Sequence, residues 1–394
     1  MPNAEDTARD YHIAVHDDPR AIDARAWNGL LAAQAAPTPF MRHEYLAALH
    51  ASGSAVPTTG WTPRFVLLAR GSTLHAACAL YAKAHSYGEY VFDWAWADAH
   101  RRLGLAYYPK LLAAVPFTPV AGTRLLARDE AARRALAFTL LRFARDEGLS
   151  SAHVLFVDDA DARALAQAGW LLRHGVQFHW QARAVAPAGD FAGFLAALQR
   201  DKRKKIAQER RRIAEQGIGF TVHEGEAIDA PLWDFFHHCY TLTYRAHHGT
   251  PYLTRAFFAQ VAASMPRNWL MFVAREGSGG PLAAALVALD PERRSAYGRY
   301  WGAVRQVPGL HFEACYYQPL AWCIAKGWIR FEGGAQGEHK MARGLLPVRT
   351  TSAHWLRDAR LAQAVQRFLA AEDAGVEAYV DELRARTPFR SGEG

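Results

Sequence analysis

Short apolar segments, none of them long enough to cross a bilayer, recur in a similar order in both halves of the chain. In the first half they predict a helix at 44–50, strands at 64–69 and 74–83, a helix at 129–147, and strands at 152–157 and 176–182. In the second half they predict a helix at 191–216, a hairpin at 270–289, a strand at 294–301, a helix at 312–326 and a strand at 328–332. No sequence repeat accompanies this order. The order therefore predicts an α+β chain of two similarly built modules.

Composition limits the class of protein. Among 394 residues, 51% are hydrophobic and 12 Trp, 15 Tyr and 20 Phe are present, which predicts a folded chain, because disordered chains are poor in aromatic residues. The four cysteines form no Cys-x-x-Cys pair, which favours a reducing compartment. Met1–Asp10 lacks the basic and apolar segments of a signal peptide. We therefore expect a cytoplasmic protein.

The module boundary is expected where Ala, Pro and Gly cluster, near 184–190. This gives modules at 1–185 and 186–394, the second ending in amphipathic helical sequence at 358–386. The formal charge of +8 is compatible with a polyanionic partner, and it is equally compatible with an Arg-rich protein that has none.

Several common catalytic motifs are absent from the sequence. It contains no Walker A loop, no Gly-x-Ser-x-Gly nucleophile elbow and no His-Glu-x-x-His metal motif. We therefore expect no bound metal.

Residues 299–355 concentrate titratable and hydrogen-bonding side chains at predicted strand ends, where a rigid scaffold presents reactive groups. The candidate acid–base residues are Glu332, Glu338, His311 and His339. The candidate substrate-binding residues of this segment are Arg299, Tyr300, Glu313, Tyr317, Gln318, Gln336, Lys340, Arg343 and His354. The alternative for any one of them is that it only satisfies buried polar groups. Pro319 either kinks the helix at 312–326 or opens a second helix.

The first half contributes a second, aromatic and charged set. Asp93, Trp94, Trp96, Tyr108 and Lys110 are candidates for binding an amine, because aromatic faces attract cations. The alternative is an aromatic core with Trp94 and Trp96 on one strand face. Residues 200–212 form a predicted helix with eight cationic residues in thirteen, which is either a polyanion site, for a tRNA among others, or a solvated surface.

Three segments make the chain recognisable: Phe331-Glu-Gly-Gly-Ala-Gln-Gly-Glu-His-Lys340, His311-Phe-Glu-Ala-Cys-Tyr-Tyr-Gln318 and Tyr300-Trp-Gly302. They resemble the FemAB-like predicted N-acyltransferases, relatives of the Fem peptidoglycan ligases within the GNAT superfamily. Val91-Phe-Asp-Trp-Ala-Trp96, Tyr107-Tyr-Pro-Lys110, Val115-Pro-Phe-Thr-Pro119 and Gln177-Phe-His-Trp180 extend the resemblance over almost the whole chain and add His179 to the candidate substrate-binding residues.

This resemblance implies two tandem GNAT-like modules, each a mixed, mostly antiparallel sheet flanked by helices. It implies N-acyl transfer to an amine in a cleft between the modules, with acyl-CoA as the donor. The GNAT pyrophosphate turn is matched by Gln306, Gly309, Leu310 and His311, although His311 replaces a small residue there. The alternatives are aminoacyl transfer from tRNA, as in Fem ligases, and ligand binding without catalysis. No helical arm of the Fem type is apparent in the sequence.

Overall fold

A computed structural model describes residues 11–182, 189–335 and 337–390. The chain separates into two compact units: residues 1–175 with 349–378, and residues 176–348 with 379–394. The linear boundary expected at 185 and 186 differs from this division at both ends. The difference arises because a strand and most of a helix near the C-terminus pack with the first unit.

The chain first forms nine strands: β1 (His12–His16), β2 (Trp61–Pro63), β3 (Phe65–Arg70), β4 (Thr73–Cys78), β5 (Leu80–Lys83), β6 (Lys110–Ala113), β7 (Leu126–Ala127), β8 (Ser151–Val157) and β9 (Leu171–Gln181). The helices among them are α1 (Ala24–Ala32), α2 (His43–Ala51), α3 (Trp94–Arg102), α4 (Glu130–Asp146) and α5 (Asp159–Gln167).

The later part contains α6 (Phe191–Ala197), α7 (Arg200–Glu215), β10 (Ile218–Glu224), α8 (Ala230–Ala246), α9 (Arg255–Ser264), β11 (Trp269–Glu276), β12 (Pro281–Asp290) and β13 (Ser295–Ala303). It then forms α10 (Leu310–Phe312), a π-helical turn (Glu313–Tyr317), α11 (Gln318–Ala325), β14 (Arg330–Glu332), β15 (Leu346–Leu356) and α12 (Ala359–Ala385). The unit boundary falls within β9, β15 and α12.

The first unit is built on antiparallel pairing around a helix. One sheet has the strand order β1-β3-β4-β7. A second sheet has the order β2-β5-β6-β8, followed by the end of β15, and in this part of the sheet only β6 and β8 are parallel. Helix α4 begins where the Asp129 carboxylate accepts a hydrogen bond from the Ala132 N–H, 2.8 Å away. It ends before Gly148, whose φ of +70° suits glycine. The apolar face of α4 packs into the largest core of this unit.

The second unit carries the strand order β10-β11-β12-β13-β14-β9. All neighbours are antiparallel except β13 and β14. Helix α8 approaches β13 closely, since a Cβ on Gly302 would lie 2.0 Å from the Cys239 carbonyl oxygen. The core of this unit includes Phe272, Leu320 and Phe331. The α+β fold class, with two units that each contain a mostly antiparallel sheet and helices, is confirmed.

Two expectations for local structure were wrong. Trp94 and Trp96 lie on α3 rather than on a strand, so they cannot share a strand face. The helix expected at 191–216 is two helices, because Leu198 and Gln199 are not helical. Pro319 falls in the first turn of α11, where proline is tolerated, directly after the π-helical turn.

Within residues 11–182, 189–335 and 337–390, no helix combines the length and the apolarity that crossing a membrane requires. In the same ranges, no three His, Cys, Asp or Glu side chains are grouped as ligands of a metal ion.

Candidate active site

The short parallel ladder between β13 and β14 defines one end of the second unit's site. Ser295–Tyr297 pair with Arg330–Glu332, and β13 then continues through Gly298–Ala303, which pair with β12 on the other side. After β14 the chain passes through Gly333, where a Cβ would lie 2.7 Å from Leu345 Cδ2 and 3.1 Å from Tyr316 Cε1. Glycine at this position therefore lets the chain pass close to the π-helical turn. Such π-helical turns are frequent at functional sites.

Two histidines and a tyrosine meet beside this turn. The His339 Nε2 and Tyr316 Oη atoms are 3.3 Å apart, and the His311 ring packs at 5.7 Å from the Tyr316 ring and 5.2 Å from the Trp301 ring. Burial, followed by the charges of His339, Arg343 and Lys340, lowers the pKa of His311 to about 4. Partial burial and the same two cations lower the pKa of His339. Both imidazoles are therefore neutral at pH 7.

A buried lysine lies next to these histidines. Lys340 Nζ donates a hydrogen bond of 2.8 Å to the Gly334 carbonyl oxygen, and its side chain contacts the position where Gly333 would carry a Cβ. Burial lowers the pKa of Lys340 to about 8, so it is mostly cationic at neutral pH. The neutral His339 and this cation provide a base and a positive charge in one place.

Helix α7 contributes side chains that hold the turn. The Glu209 carboxylate accepts a hydrogen bond from the Tyr317 hydroxyl and is 3.1 Å from Arg343 Nη2. The Arg343 guanidinium lies 3.5 Å from the centre of the Phe312 ring. Arg343 also donates to the His339 carbonyl oxygen at 2.9 Å. Glu209 and Arg343 thus fix the backbone that carries His339.

The second carboxylate of the turn is Glu313, which is buried. Its Oε1 accepts hydrogen bonds from Arg210 Nε at 3.1 Å and from Gln318 Nε2 at 2.7 Å. Glu313, Tyr317, Gln318 and Arg343, expected to bind substrate, are therefore brought together around α7.

Glu332 lies in a separate buried group at the end of β14. Its Oε1 is 2.6 Å from Arg330 Nη2 and its Oε2 is 3.6 Å from His179 Nε2. The His179 ring also lies 3.1 Å from Gln177 Oε1, and burial and the Arg330 and Lys340 cations keep the pKa of His179 well below its usual range. A carboxylate held by Arg330 is a weak base, so Glu332 is suited to positioning rather than to proton transfer.

The other expected residues of this segment are more dispersed. Glu338 is exposed and pairs with Arg386 at 2.9 Å. Arg299 donates to the Tyr300 hydroxyl at 3.1 Å on β13, and Gln336 lies outside the described residues.

The turn expected to bind pyrophosphate fits that ligand only in part. Gly309 caps α10 with a φ of +86°, which suits glycine, and Gln306 is exposed. However, the Leu310 N–H already donates to the Val307 carbonyl oxygen at 3.1 Å, and the Leu310 side chain is fully buried.

His354 was expected among the substrate-binding residues of segment 299–355, but it lies in the first unit. There its Nδ1 is 2.8 Å from the Nδ1 of His153, and Trp96 packs against its ring at 4.8 Å. The grouping failed because β15, which carries His354, was not predicted from the sequence.

The His153 pair belongs to a buried polar network of the first unit. Tyr107 Oη is 3.2 Å from His153 Nε2 and donates to Asp93 Oδ2 at 2.6 Å. Lys110 Nζ donates to Asp93 Oδ2, to Glu89 Oε2 at 2.7 Å and to Ser86 Oγ at 2.8 Å. Both carboxylates and the ammonium are buried, with exposures of 3%, 3% and 0%.

Lys83 lies beside this network. It is 0% exposed, and its Nζ is 3.9 Å from the centre of the Trp61 ring and 3.3 Å from the Tyr87 carbonyl oxygen. Burial lowers the pKa of Lys83 to about 7, and burial likewise raises the pKa of Glu89 to about 7. Of the residues expected here, Asp93 and Lys110 join the network directly and Tyr108 reaches it through Ser86 at 2.8 Å.

Sequence reasoning missed Lys83, Glu89, His153, Glu209 and Arg210 as members of these clusters. Lys83 ends an apolar strand, a position where a lysine is usually expected to reach solvent. Glu209 and Arg210 belong to a highly charged helix, so their charge alone does not distinguish them. The one signal is their position between Ile206 and Ile213, the two buried residues of α7, which indicates that this part of the helix faces inward.

The fold and these clusters define a two-unit α+β protein with ionisable groups concentrated in each unit. The FemAB-like family profile, described as peptidoglycan biosynthesis/recognition, matches residues 18–391. The chain belongs to the FemAB-like family. Membership in this family supports a transferase of the Fem class.

Solved structures share the fold at low sequence identity. The chain is similar to FemX, with 11% identity over 88% of this chain and 98% of FemX and a TM-score of 0.53. It is similar to L-PGS from Bacillus licheniformis, with 10% identity over 90% and 99% and a TM-score of 0.55. It is also similar to a conserved protein of unknown function from Bacteroides thetaiotaomicron, with 11% identity over 88% of this chain and 100% of that protein and a TM-score of 0.52. No significant match is found among curated protein sequences.

Proposed function

We propose that this protein transfers an acyl group from an activated ester or thioester to an amine, with the chemistry in the second unit. The observation that carries the proposal is the neutral His339 imidazole, hydrogen-bonded to Tyr316 and adjacent in sequence to the buried Lys340 cation. Family membership supports a transferase, and an acyl transfer requires a base, a charge-stabilising group and a positioned donor.

In the proposed reaction the amine nitrogen attacks the acyl carbonyl carbon, and the carbon–sulfur or carbon–oxygen bond to the carrier breaks. His339 accepts the proton that the amine loses and returns it to the leaving thiolate or alkoxide, which departs as a thiol or hydroxyl. The Lys340 ammonium and the Tyr316 hydroxyl are the candidates for stabilising the charge on the carbonyl oxygen. Burial raises the pKa of Tyr316, so this hydroxyl stays protonated and can donate.

His339 is the best candidate for the base among the residues that the sequence left open. Its ring is exposed, whereas Glu332 is held by Arg330, Glu338 is paired with Arg386 and His311 has a pKa of about 4. An accessible, neutral imidazole combines reach with a suitable proton affinity.

The donor is proposed to be carried by a polyanion, either CoA or tRNA. Five basic residues of α7 are exposed: Arg200, Lys204, Lys205, Arg211 and Arg212. The same helix supplies Glu209 and Arg210 to the side-chain cluster around the π-helical turn. This basic surface supports either carrier. The engaged Leu310 amide makes the pyrophosphate turn weaker support for CoA than the sequence suggested.

The test is to incubate the protein with acyl-CoAs of increasing chain length or with a mixture of aminoacylated tRNAs, each with a panel of primary amines. Amide products are then detected by mass spectrometry. A product with either donor that disappears in His339→Gln and persists in His223→Gln supports the proposal. His223, on β10 beside Thr221, is the matched control. Undiminished product from a folded His339→Gln protein removes His339 as the base.

A further inference from the structure

The buried network of the first unit leaves two carboxylate oxygens without a protein partner. Lys110 Nζ binds one oxygen of each acid, Glu89 Oε2 and Asp93 Oδ2. The second oxygens, Glu89 Oε1 and Asp93 Oδ1, are buried and accept no hydrogen bond from any residue that the structure describes. Buried carboxylate oxygens that accept nothing are costly, because they have lost their hydration without replacement.

Another buried acid of the same unit shows that the fold can satisfy a carboxylate fully. Asp161 is 0% exposed. Its Oδ1 accepts from Arg133 at 2.6 Å, and its Oδ2 accepts from the Arg124 and Leu125 N–H groups at 2.6 and 2.9 Å. Asp161 thus has the bonding expected of a structural acid. Glu89 and Asp93 differ from Asp161 because one carboxylate oxygen of each accepts no hydrogen bond from the described residues.

A buried histidine nitrogen of the network also lacks a partner among the described residues. His153 and His354 share one hydrogen bond between their Nδ1 atoms, and the Nε2 of His354 is buried without a partner among the described residues. Burial lowers the pKa of His354 to about 3, so the ring is neutral. The ligand that complements the two carboxylate oxygens is a hydrogen-bond donor rather than an acceptor.

The segment that carries both acids also exposes aromatic rings. Tyr87, Phe92 and Trp94 are 58%, 57% and 44% exposed, and the Tyr87 ring lies 5.2 Å from the Trp94 ring and 5.4 Å from the His85 ring. These rings belong to the same short segment as the two acids, and aromatic faces attract ammonium groups. An anion would be repelled by these carboxylate oxygens, and a neutral hydroxyl donor would bring no positive charge to match them.

We infer that the first unit contains a binding site for a cationic primary amine, with Glu89 Oε1 and Asp93 Oδ1 as its acceptors and the aromatic segment 87–94 as its entrance. If the proposed function holds, the amine bound here is the acceptor of the acyl group. That assignment rests on the proposed function, whereas the existence of the binding site does not. Because both oxygens are buried, the segment 87–94 has to move for the amine to enter.

The inference is tested by isothermal titration of the full-length protein with n-butylammonium chloride, without any acyl donor. n-Butanol and sodium chloride are titrated in parallel, so that apolar contact and ionic strength are measured separately. Glu89→Gln keeps an oxygen for Lys110 but places an amide N–H₂ where Oε1 lies, and so it opposes an ammonium. Glu147→Gln makes the same chemical change at an exposed position of α4's C-terminus and is the matched control.

We expect saturable binding of n-butylammonium and none of n-butanol. Glu89→Gln should weaken binding by about tenfold or more, the equivalent of one ammonium–carboxylate contact, and Glu147→Gln should leave it unchanged. Failure of the native protein to bind n-butylammonium, or equal binding by a folded Glu89→Gln protein, would overturn the inference and assign the two oxygens to buried water. Binding as expected without turnover by any donor would refute the acyl transfer and leave the amine site standing.

Discussion

The two units bury ionisable groups in different ways. In the first unit Lys110, Glu89 and Asp93 form a sealed network in which opposite charges meet directly. In the second unit the exposed His339 ring stands beside Tyr316 and the buried Lys340, and its surroundings are held by ion pairs from α7. The first arrangement suits recognition of a charged group, because its ionisable groups are desolvated. The second suits proton transfer, because a neutral base remains accessible.

The largest expected effect separates catalysis from folding in the second unit. Replacing His339 with Gln should lower kcat for amide formation by about 10²–10⁴-fold, the usual contribution of a positioned acid–base group. The free energy of unfolding should hardly change, because the ring is exposed. Steady-state kinetics and denaturant unfolding of the same variant check both parts. An unfolding midpoint well below that of the native protein would show that His339 contributes to folding, and would contradict this separation of catalysis from stability.

The next effect is on stability and concerns the first unit. Lys110→Met should lower the free energy of unfolding by about 3–5 kcal/mol, because it leaves two buried carboxylates without their cation. Urea denaturation followed by tryptophan fluorescence measures this loss. Arg42→Met, which removes the half-exposed partner of Glu44, serves as the control and should cost much less. Similar losses for both variants would contradict the view that the Lys110 network is desolvated.

A smaller effect should appear as a pH dependence of the first unit's stability. Burial lowers the pKa of His354 to about 3 and that of His153 well below its usual range. Below the unfolded-state pKa of about 6.5, the unfolded chain binds protons that the folded chain does not. Stability should therefore fall as the pH drops from about 6.5 towards 3, by about 1.4 kcal/mol per pH unit for His354, and the lowered pKa of His153 should add to this fall. His354→Gln should reduce this slope in denaturation curves measured between those pH values.

The smallest expected effect concerns the basic surface of α7. Replacing Lys204 and Lys205 together by Glu should weaken donor binding severalfold and reduce its dependence on salt, because two exposed cations no longer attract the polyanion. The apparent KM for the donor, measured at two ionic strengths, tests this. Lys326→Glu, at the exposed end of α11, should leave the salt dependence unchanged. An unchanged KM in the double variant would exclude α7 as the donor surface.

Elements with local signals were predictable from the sequence. Helix α4 carries its own start at Asp129 and its own end at Gly148, and the β3–β4 hairpin has a turn through Gly71. Strand β15 was not predicted because Thr350, Thr351 and Ser352 interrupt its apolar alternation, and its residues become buried only through pairing with β8. The helix α3 was misjudged because its one buried tryptophan, Trp96, is flanked by the exposed Trp94.

The candidate site was predictable in residue type rather than in arrangement. Sequence placed His311, His339 and Lys340 within one short segment, and the fold keeps them in one cluster. It could not place His354 with His153, because their contact joins residues 201 positions apart. Nor could it identify Glu89 and Lys83, since burial of a charged residue depends on partners that only the tertiary structure supplies.

The division of roles between the units is tested most directly by steady-state kinetics of amide formation with varied amine, using the donor that gives product in the screen. The account predicts that His339→Gln lowers kcat with little change in KM for the amine, whereas Glu89→Gln raises that KM by about tenfold or more and largely retains kcat. The reverse pattern, or the same change in both variants, would contradict it.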